Sequence, residues 1–349
     1  MRVVISTAAF LILLCGVCLG GRRDPPPEQT PLLVFTEHTD KIMSAAFSPD
    51  SRYIATGARD WTAKVWDAET GEVIHSFHYA RLAFSVDFSP DGSILAVAWG
   101  TTADEIHLYS MSSGELIRSI YHASPRAVAF APDGETLVTG GGDGANIKFW
   151  DLETGDELDT VIFEDGQYGS YINELAFSPD GTRLLVAYSE IRSTQSLTWD
   201  QPEAALISVP DRKVIALYQP PGNQAGFPID WSPDGALFVM EADYYPRKGA
   251  YIYDSETLSP VCIIKVFYRG RAFSPNGRML AIANVIYDPR SGEEIQTLPY
   301  DYDAGAWFLP VEWSPDGSKL LIVSLQTQAE VWDVSDLNTG VTDWRERGE

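Results

Sequence analysis

Alternating hydrophobic and polar residues recur in short runs along most of the chain. The run "AFSVDF" ends at Phe88, and after a turn the apolar run "ILAVAW" begins at Ile94. A period of two is typical of strands that bury one face, and a short apolar run is typical of a strand buried on both faces. The pattern therefore predicts an all-β protein.

One turn motif separates these strands seven times. It reads "FSPDS" at 47–51, "FSPDG" at 88–92, "FAPDG" at 130–134, "FSPDG" at 177–181, "WSPDG" at 231–235, "FSPNG" at 273–277 and "WSPDG" at 313–317. Pro, then Asp or Asn, then Gly is the sequence signature of a type I turn. The copies begin 41, 42, 47, 54, 42 and 40 residues apart, so the chain is a repeat protein.

A second turn signal, such as "DAETGEV" at 67–73 and "DLETGDEL" at 151–158, follows in most repeats. Each repeat thus predicts four antiparallel strands within ~40–45 residues, the period of a propeller blade. We predict a seven-bladed β-propeller over residues 31–340. Residues 1–20 form a targeting segment, 21–30 a proline-rich linker and 341–349 a C-terminal tail.

The third predicted strand ends in "VWD" at 65–67, "FWD" at 149–151 and "VWD" at 331–333. With seven turns in register, these endings resemble the WD-repeat family. The later repeats, with "SPDG" turns and "IYD" at 252–254, also resemble blades of the Tol-system periplasmic propeller and of prolyl-peptidase propellers.

The resemblance implies a hydrogen-bonded tetrad of His, Ser or Thr, Asp and Trp in some blades. Repeats one and three contain all four residue types at matching places. The implied tetrads are His38, Thr56, Asp60 and Trp66, and His122, Thr139, Asp143 and Trp150. Repeats five to seven lack the histidine, so their blades are expected to be less regular.

The last repeat supplies three strong strands, and an open ring would leave two unpaired sheet edges. The segment "PLLVF" at 31–35 precedes the first turn motif as outer strands precede the others. We predict that it pairs with the third strand of the last repeat, near 329–334. The alternative closing strand is "VTDW" at 341–344.

The two faces of the predicted ring differ in chemistry. The "SPDG" and "TGE" turns lie on one strongly acidic face, which we call the turn face. The other connections form the loop face, which is richer in Trp, Tyr and Arg, the residues that dominate protein interfaces. Its candidate binding residues are Trp61, Tyr79, Arg81, Trp99, Arg126, Tyr168, Tyr171, Tyr244, Tyr245, Arg247, Arg269, Arg271, Tyr302, Trp307 and Phe308.

No catalytic motif stands out: the chain contains no G-x-S-x-G, no H-E-x-x-H and no phosphate-binding glycine loop. We therefore predict no catalytic residues, cofactor or metal, and a scaffold that binds a protein or peptide. The alternative is a small-ligand, cation-binding or enzymatic propeller that works through its central channel. The innermost predicted strands offer four acids for that role, Asp87, Glu174, Asp230 and Glu312.

The N-terminus predicts export. Arg2 precedes the uncharged run "VVISTAAFLILLCGVCLG", and a polar, proline-rich segment follows. This order is typical of a secretory signal peptide. Cys18 is a candidate for lipid attachment, although the residues before it match a lipobox poorly. A retained anchor is the other alternative.

Charge narrows the range of partners. The chain carries 49 acidic and 25 basic residues, a formal net charge of −24. Such a surface repels nucleic acids and anionic lipid headgroups. We expect a monomer that binds no nucleic acid and meets a membrane only through an N-terminal anchor or lipid.

Overall fold

The computed structural model describes residues 3–5, 29–101, 104–141, 146–163, 171–189, 204–218, 229–242, 249–266, 270–299, 310–324 and 327–338. Within them, 28 strands form seven four-stranded antiparallel sheets, and a further short strand extends one of these sheets. The chain is therefore a seven-bladed β-propeller, as the repeat predicts.

Two strands precede the first complete blade. They are β1 (Val3–Ile5) and β2 (Leu33–Phe35). Blade one contains β3 (Ile42–Phe47), β4 (Tyr53–Ala58), β5 (Thr62–Asp67) and β6 (Val73–His78). Blade two contains β7 (Leu82–Phe88), β8 (Ile94–Gly100), β9 (Glu105–Ser110) and β10 (Leu116–Tyr121). Blade three contains β11 (Ala127–Phe130), β12 (Thr136–Gly140), β13 (Asn146–Asp151) and β14 (Glu157–Ile162).

The remaining blades have the same strand order. Blade four contains β15 (Tyr171–Phe177), β16 (Arg183–Ser189), β17 (Ala204–Ser208) and β18 (Lys213–Tyr218), and β1 pairs with β18 in parallel. Blade five contains β19 (Asp230–Trp231), β20 (Leu237–Ala242), β21 (Gly249–Asp254) and β22 (Pro260–Ile264). Blade six contains β23 (Arg271–Phe273), β24 (Leu280–Ile282), β25 (Val285–Tyr287) and β26 (Glu294–Thr297). Blade seven contains β27 (Val311–Trp313), β28 (Lys319–Ser324) and β29 (Gln328–Asp333), before the short helix α1 (Ser335–Asn338).

The outer strand of blade seven is β2. It pairs antiparallel with β29, with Leu33 opposite Val331 and Phe35 opposite Ala329. This confirms that the N-terminal segment closes the ring. The alternative strand at 341–344 lies outside the described residues.

Glycine contacts also identify β2 as an outer strand. In blade two, the turn before the outer strand places Gly114 against His75 on the outer strand of blade one. Gly71 of blade one meets Leu33 in the same way: a β-carbon on Gly71 would lie 2.9 Å from Leu33 Cδ1. Leu33 on β2 therefore occupies the same position, relative to the next blade, as His75 on the outer strand of blade one.

The turn motif owes its shape to its sequence. In blade two, Gly92 donates its backbone N–H to the Ser89 carbonyl at 2.8 Å, and the Ser89 hydroxyl donates to Asp91 at 2.6 Å. Gly92 has a φ of 70°, in the left-handed region that glycine adopts without steric cost. The Ser89 carbonyl therefore closes the turn, and Asp91 accepts a hydrogen bond from the Ser89 hydroxyl.

These turns also touch one another around the ring. A β-carbon on Gly92 would lie 3.5 Å from Pro49 of the preceding turn. The same contact joins Gly181 to Pro132, Gly235 to Pro179 and Gly277 to Pro233. The turns of blades two, four, five and six therefore lie in van der Waals range of the proline in the turn of the blade before.

Blade one has Ser51 in place of this glycine, with a φ of 62°. The Ser51 hydroxyl accepts a hydrogen bond from the backbone N–H of Asp316 at 3.0 Å. Asp316 belongs to the turn of blade seven, so the one serine at this position connects the two ends of the repeat array. We call this contact the Ser51 clasp.

The hydrophobic core lies between neighbouring blades. The cluster around Phe35, Trp66 and Val331 joins blade seven to blade one. Phe35 stacks on Trp66 with ring centroids 4.4 Å apart and planes 3° apart. Closing the ring therefore buries an aromatic pair as well as pairing a strand.

Candidate functional site

The loop face of blades one and two carries three of the candidate binding residues. Trp61 lies between β4 and β5 with a φ of 68°, and its side chain is 52% exposed. The backbone N–H of Tyr79, after β6, donates to the Trp61 carbonyl at 3.2 Å. Arg81 follows, and its Nη1 donates to the Ala80 carbonyl at 2.5 Å. Trp61 thus stands out from a loop that the next connection holds in place.

Arg126 marks the inner edge of this face. It directly precedes β11, the innermost strand of blade three. Its guanidinium carbon lies 3.7 Å from the ring centroid of Tyr171 and 5.2 Å from that of Phe84. Phe84 and Tyr171 belong to the innermost strands of blades two and four, so three successive blades meet at one cation. We call these three residues the Arg126 stack.

Two predicted face residues lie in the interior instead. Trp99 is fully buried because β8 continues to Gly100, and its ring packs against Tyr79 and His107. Arg271 is only 4% exposed. It lies two residues before Phe273 on the innermost strand of blade six. The equivalent position in blade two, two residues before Phe88, is the buried Val86. Neither residue presents a side chain to a partner.

The other predicted face residues fall outside the described residues. They are Tyr168, Tyr244, Tyr245, Arg247, Arg269, Tyr302, Trp307 and Phe308. Asp143 and Cys18 also lie outside them. Their roles stay predictions.

Three members of the first implied tetrad are hydrogen-bonded. His38 Nδ1 lies 2.9 Å from Asp60 Oδ2, and His38 Nε2 lies 2.8 Å from the Thr56 hydroxyl. The fourth member differs from the expectation: within the described residues, Trp66 Nε1 has no hydrogen-bond partner. Its indole instead stacks on Phe35. A side chain of the closing strand β2 therefore covers one face of this tryptophan.

Asp60 is ionised in this network. Burial raises the pKa of its carboxyl, but hydrogen bonds from His38, Thr62 and the backbone of Thr39 outweigh burial and lower it well below its ordinary value. The Thr62 hydroxyl donates to Asp60 Oδ1 at 2.6 Å. A charged, fully bonded carboxylate thus holds the loop that carries Trp61.

The network in repeat three runs in one direction. Trp150 Nε1–H donates to the Thr139 hydroxyl at 2.8 Å, which lies 2.6 Å from His122 Nδ1. His122 Nε2 faces the Asn146 side-chain oxygen at 2.5 Å. Since an amide oxygen only accepts, Nε2 carries the proton and Nδ1 accepts from threonine. Burial lowers the pKa of His122 to about 4, which keeps this imidazole neutral.

Blade two contains a network that the sequence analysis missed. Tyr79 and His107 Nε2 both donate to Glu105 Oε2 at 2.8 Å, and His107 Nδ1 lies 2.9 Å from the Tyr109 hydroxyl. These hydrogen bonds lower the pKa of Glu105, whereas burial raises that of Tyr109 to about 12. Glu105, His107 and Tyr109 are alternate residues of β9, so their side chains lie on one face of the strand. This spacing could have predicted the network from the sequence.

Acids on the innermost strands connect adjacent blades. Asp87 Oδ2 accepts the backbone N–H of Phe130 at 2.7 Å, and Asp230 Oδ2 accepts that of Phe273 at 2.7 Å. Glu174 accepts the N–H of Ile229 at 3.0 Å. Burial raises the pKa of Asp87 and of Asp230 to about 7, against the effect of these hydrogen bonds. Three of the four channel acids therefore tie one blade to the next.

Glu312 is the fourth channel acid. Burial raises its pKa well above the ordinary value of 4.5, and the negative charges of Asp230, Glu174 and Asp87 raise it further. The structure thus brings Glu312 within electrostatic range of the other three acids, and both burial and their charges disfavour its ionised form. Among the described residues, no group of three or more His, Cys, Asp or Glu is arranged to hold a metal ion.

In the described part of the chain, we find no helix of sufficient length and apolarity to cross a membrane.

Comparison with known proteins shows what two of the repeats and about half of the chain are similar to. A family model described as "WD domain, G-beta repeat" matches residues 29–67 and 114–151. The chain is 33% identical over 156 residues to the serine-threonine kinase receptor-associated protein of Gallus gallus, covering 44% of this chain and 42% of that protein. It is 28% identical over 166 residues to eukaryotic translation initiation factor 3 subunit I of Emericella nidulans, covering 44% and 48%.

A third relative is the angio-associated migratory cell protein of Homo sapiens, 26% identical over 184 residues that cover 52% of this chain and 39% of that protein. The chain thus aligns with less than half the length of each of these three relatives. Both family matches fall on repeats whose histidine networks are described above. The two matched repeats, these relatives and the ring of seven four-stranded blades support the similarity of the chain to the WD40-repeat family of β-propellers.

Proposed function

We propose that this chain is a non-catalytic scaffold that binds a protein or peptide on its loop face, and that it is exported or tethered to a membrane by its N-terminus. The observation that carries the binding function is the placement of Trp61. Its indole is 52% exposed, whereas the other large apolar side chains that are exposed in the described chain lie on or beside outermost strands.

The surroundings of Trp61 favour a partner over a disordered loop. The ionised Asp60 beside it is fixed by His38 and Thr62. Tyr79, on the next connection, is fixed by Glu105. An aromatic side chain that is exposed on a rigid support loses little conformational entropy on binding, which is the property of an interface hot spot.

The relatives support the same class of function. The names of two of them describe a receptor-associated protein and a subunit of an initiation factor. Both names refer to proteins that work in association with other proteins. We extend only this class to the chain, as a scaffold without catalytic chemistry of its own.

Site-specific crosslinking tests the binding face. A photoreactive amino acid at Trp61 in the full chain, in its native cells, is expected to capture a discrete protein adduct. The same amino acid at Glu69, an exposed residue of the turn face, is the matched control and is expected to capture none. Equal capture at both positions, or none at either, would count against a loop-face scaffold.

The N-terminal tether needs a separate test. The apolar run and Cys18 motivate it. Mass mapping of the mature protein is expected to find either residues 1–20 removed or a lipid on Cys18. The Cys18→Ala variant separates these outcomes, because it should release the protein from the membrane only if a lipid on Cys18 is the anchor. An intact, unmodified Met1 on a protein from the cytoplasmic fraction would contradict export.

The alternative function, ligand binding or catalysis in the central channel, has weaker support. Asp87, Glu174 and Asp230 each accept a backbone N–H from the next blade. Their presence therefore has a structural reason, and the raised pKa of Glu312 disfavours a negative charge on the fourth acid.

A further inference from the structure

We infer that Arg126 is a recognition site for acidic side chains: it receives an Asp or Glu of the partner at the inner edge of the loop face. The inference rests on the proposed scaffold function and specifies its chemistry. It starts from the Arg126 stack, in which one guanidinium lies against the rings of Tyr171 and Phe84.

The geometry leaves the hydrogen-bonding edge of the guanidinium available. Rings that contact the flat surface of a guanidinium do not use its N–H groups, which radiate in the plane of the group. Within the described residues, no carboxylate lies within ion-pair distance of Arg126 and no side-chain hydrogen bond satisfies it. Arg126 is partly exposed, so a partner has access to these donors.

The composition makes this arrangement unusual. Acids outnumber bases in the chain by 49 to 25, yet this cation at the meeting point of three blades pairs with aromatic rings. Burial lowers the pKa of Arg126 and only Tyr171 opposes that effect. A partly desolvated arginine gains most from a carboxylate that binds through two parallel N–H···O bonds.

The surrounding charge selects the type of partner. The net charge of −24 repels acidic molecules over most of the surface. An acidic segment is therefore favoured only where a cation and apolar surface coincide, as they do at the Arg126 stack. The occupant is a peptide segment with an Asp or Glu side chain between neutral residues.

The test uses the full chain and blocked peptides in fluorescence anisotropy at about 0.15 M salt. The probe contains one Glu between Gly and Leu residues, with both termini capped, and its Gln version is the peptide control. Wild-type protein is expected to bind the Glu probe at least about tenfold more tightly than the Gln probe. Arg126→Gln should abolish that preference, since a charge-assisted hydrogen bond is worth about one to two powers of ten in affinity.

Two further variants keep the test decisive. Arg126→Lys retains the positive charge and the packing of the aliphatic stem but not the planar guanidinium, so it should keep only part of the preference for the Glu probe. It replaces Arg126→Gln as the test variant if that protein folds poorly. Arg52→Gln is the matched control, because Arg52 also lies over a tyrosine ring, Tyr53 at 5.0 Å, but belongs to the turn face; it should behave as wild type.

The outcomes separate the two proposals. If wild type binds the Glu and Gln probes equally, or if Arg126→Gln keeps the preference, the acidic-side-chain site is overturned. Tighter binding of a phosphoserine probe or of a free C-terminal carboxylate than of the Glu side chain overturns it also, in favour of those groups. Crosslinking at Trp61 is a separate measurement. A protein adduct there would support the scaffold function even if the peptide experiments contradict the Arg126 site.

Discussion

His122 shows how one side chain makes a blade sensitive to pH. Its Nδ1 accepts from Thr139 and its Nε2–H donates to Asn146, an arrangement that requires a neutral ring. An unfolded chain protonates this histidine below about pH 6.5, but the folded chain does so only near pH 4. The free energy of unfolding therefore falls as the pH is lowered through that window.

The first prediction isolates this contribution. As the pH falls from 6.5 to 4, the protonation of His122 should lower the free energy of unfolding of wild type by roughly 3 kcal/mol. The His122→Gln variant should not show this part of the decrease. Urea unfolding across this range measures it as a difference in slope. His78→Gln, on an exposed histidine of β6, is the control and should keep the wild-type slope. Identical slopes for His122→Gln and wild type would refute a neutral buried His122.

Glu312 gives the second prediction, with the opposite sign. Because its folded pKa is raised above 4.5, the stability it provides is present at low pH and is lost as the pH rises. Glu312→Gln should therefore raise the melting temperature at pH 8 and change it little at pH 4.5. Glu293→Gln, on an exposed turn, should change neither. A Glu312→Gln protein that melts lower than wild type at pH 8 would contradict the proximity of the four acids.

At the scale of elements, the closing strand β2 contributes packing as well as backbone pairing. Phe35 is 3% exposed and stacks on Trp66, whereas the neighbouring Leu32 is 57% exposed. Phe35→Ala should reduce the free energy of unfolding by about 3–5 kcal/mol, the usual cost of deleting a buried aromatic ring. Leu32→Ala should cost less than about 0.5 kcal/mol. Equal effects of the two changes would show that β2 does not bury its aromatic face.

The Ser51 clasp gives a second prediction at this scale. Ser51→Ala removes the acceptor for the Asp316 N–H and keeps the left-handed backbone, so it should cost about 1 kcal/mol. Ser51→Gly loses the same hydrogen bond but relieves the backbone, by roughly 1 kcal/mol, and should be close to neutral. Chemical denaturation distinguishes them, and a Ser51→Ala variant as stable as wild type would argue against the clasp.

At the scale of the whole molecule, ring closure should make seven blades unfold together. Deleting residues 21–36 removes β2 and exposes the edge of β29, so we expect a broad, stepwise unfolding curve and aggregation in gel filtration. Deleting 340–349 is the control and should leave a single sharp transition. A single transition in the first variant and a broad one in the second would reverse the assignment of the closing strand.

The sequence predicts this architecture well because its strongest signals are local. The turn motif depends on backbone conformation at three residues, so its seven copies, five of which are Pro-Asp-Gly, predict seven hairpins wherever they stand. Even blade six, with three-residue strands such as β23 and β24, follows its turn. The closing strand was predictable from a count of strands and from the resemblance of 31–35 to other outer strands.

The site was less predictable because it depends on where each strand ends. Trp99 was assigned to the loop face, but β8 extends past it and buries its ring. Arg271 stands at a position that is apolar in neighbouring blades, and only the packing of β23 reveals its burial. The Arg126 stack joins residues from three blades, and such a meeting of distant residues leaves no local pattern in the sequence.

Strand β2 has a consequence for the order of events in time. It lies near the start of the chain, and its partner β29 is made about 300 residues later. At ~5–20 residues per second, a ribosome needs roughly 15 to 60 s to supply that partner. Throughout this interval Phe35 can already pack on Trp66 of blade one, but the backbone of β2 lacks the strand that it pairs with, so an unpaired edge is exposed until the last blade is made.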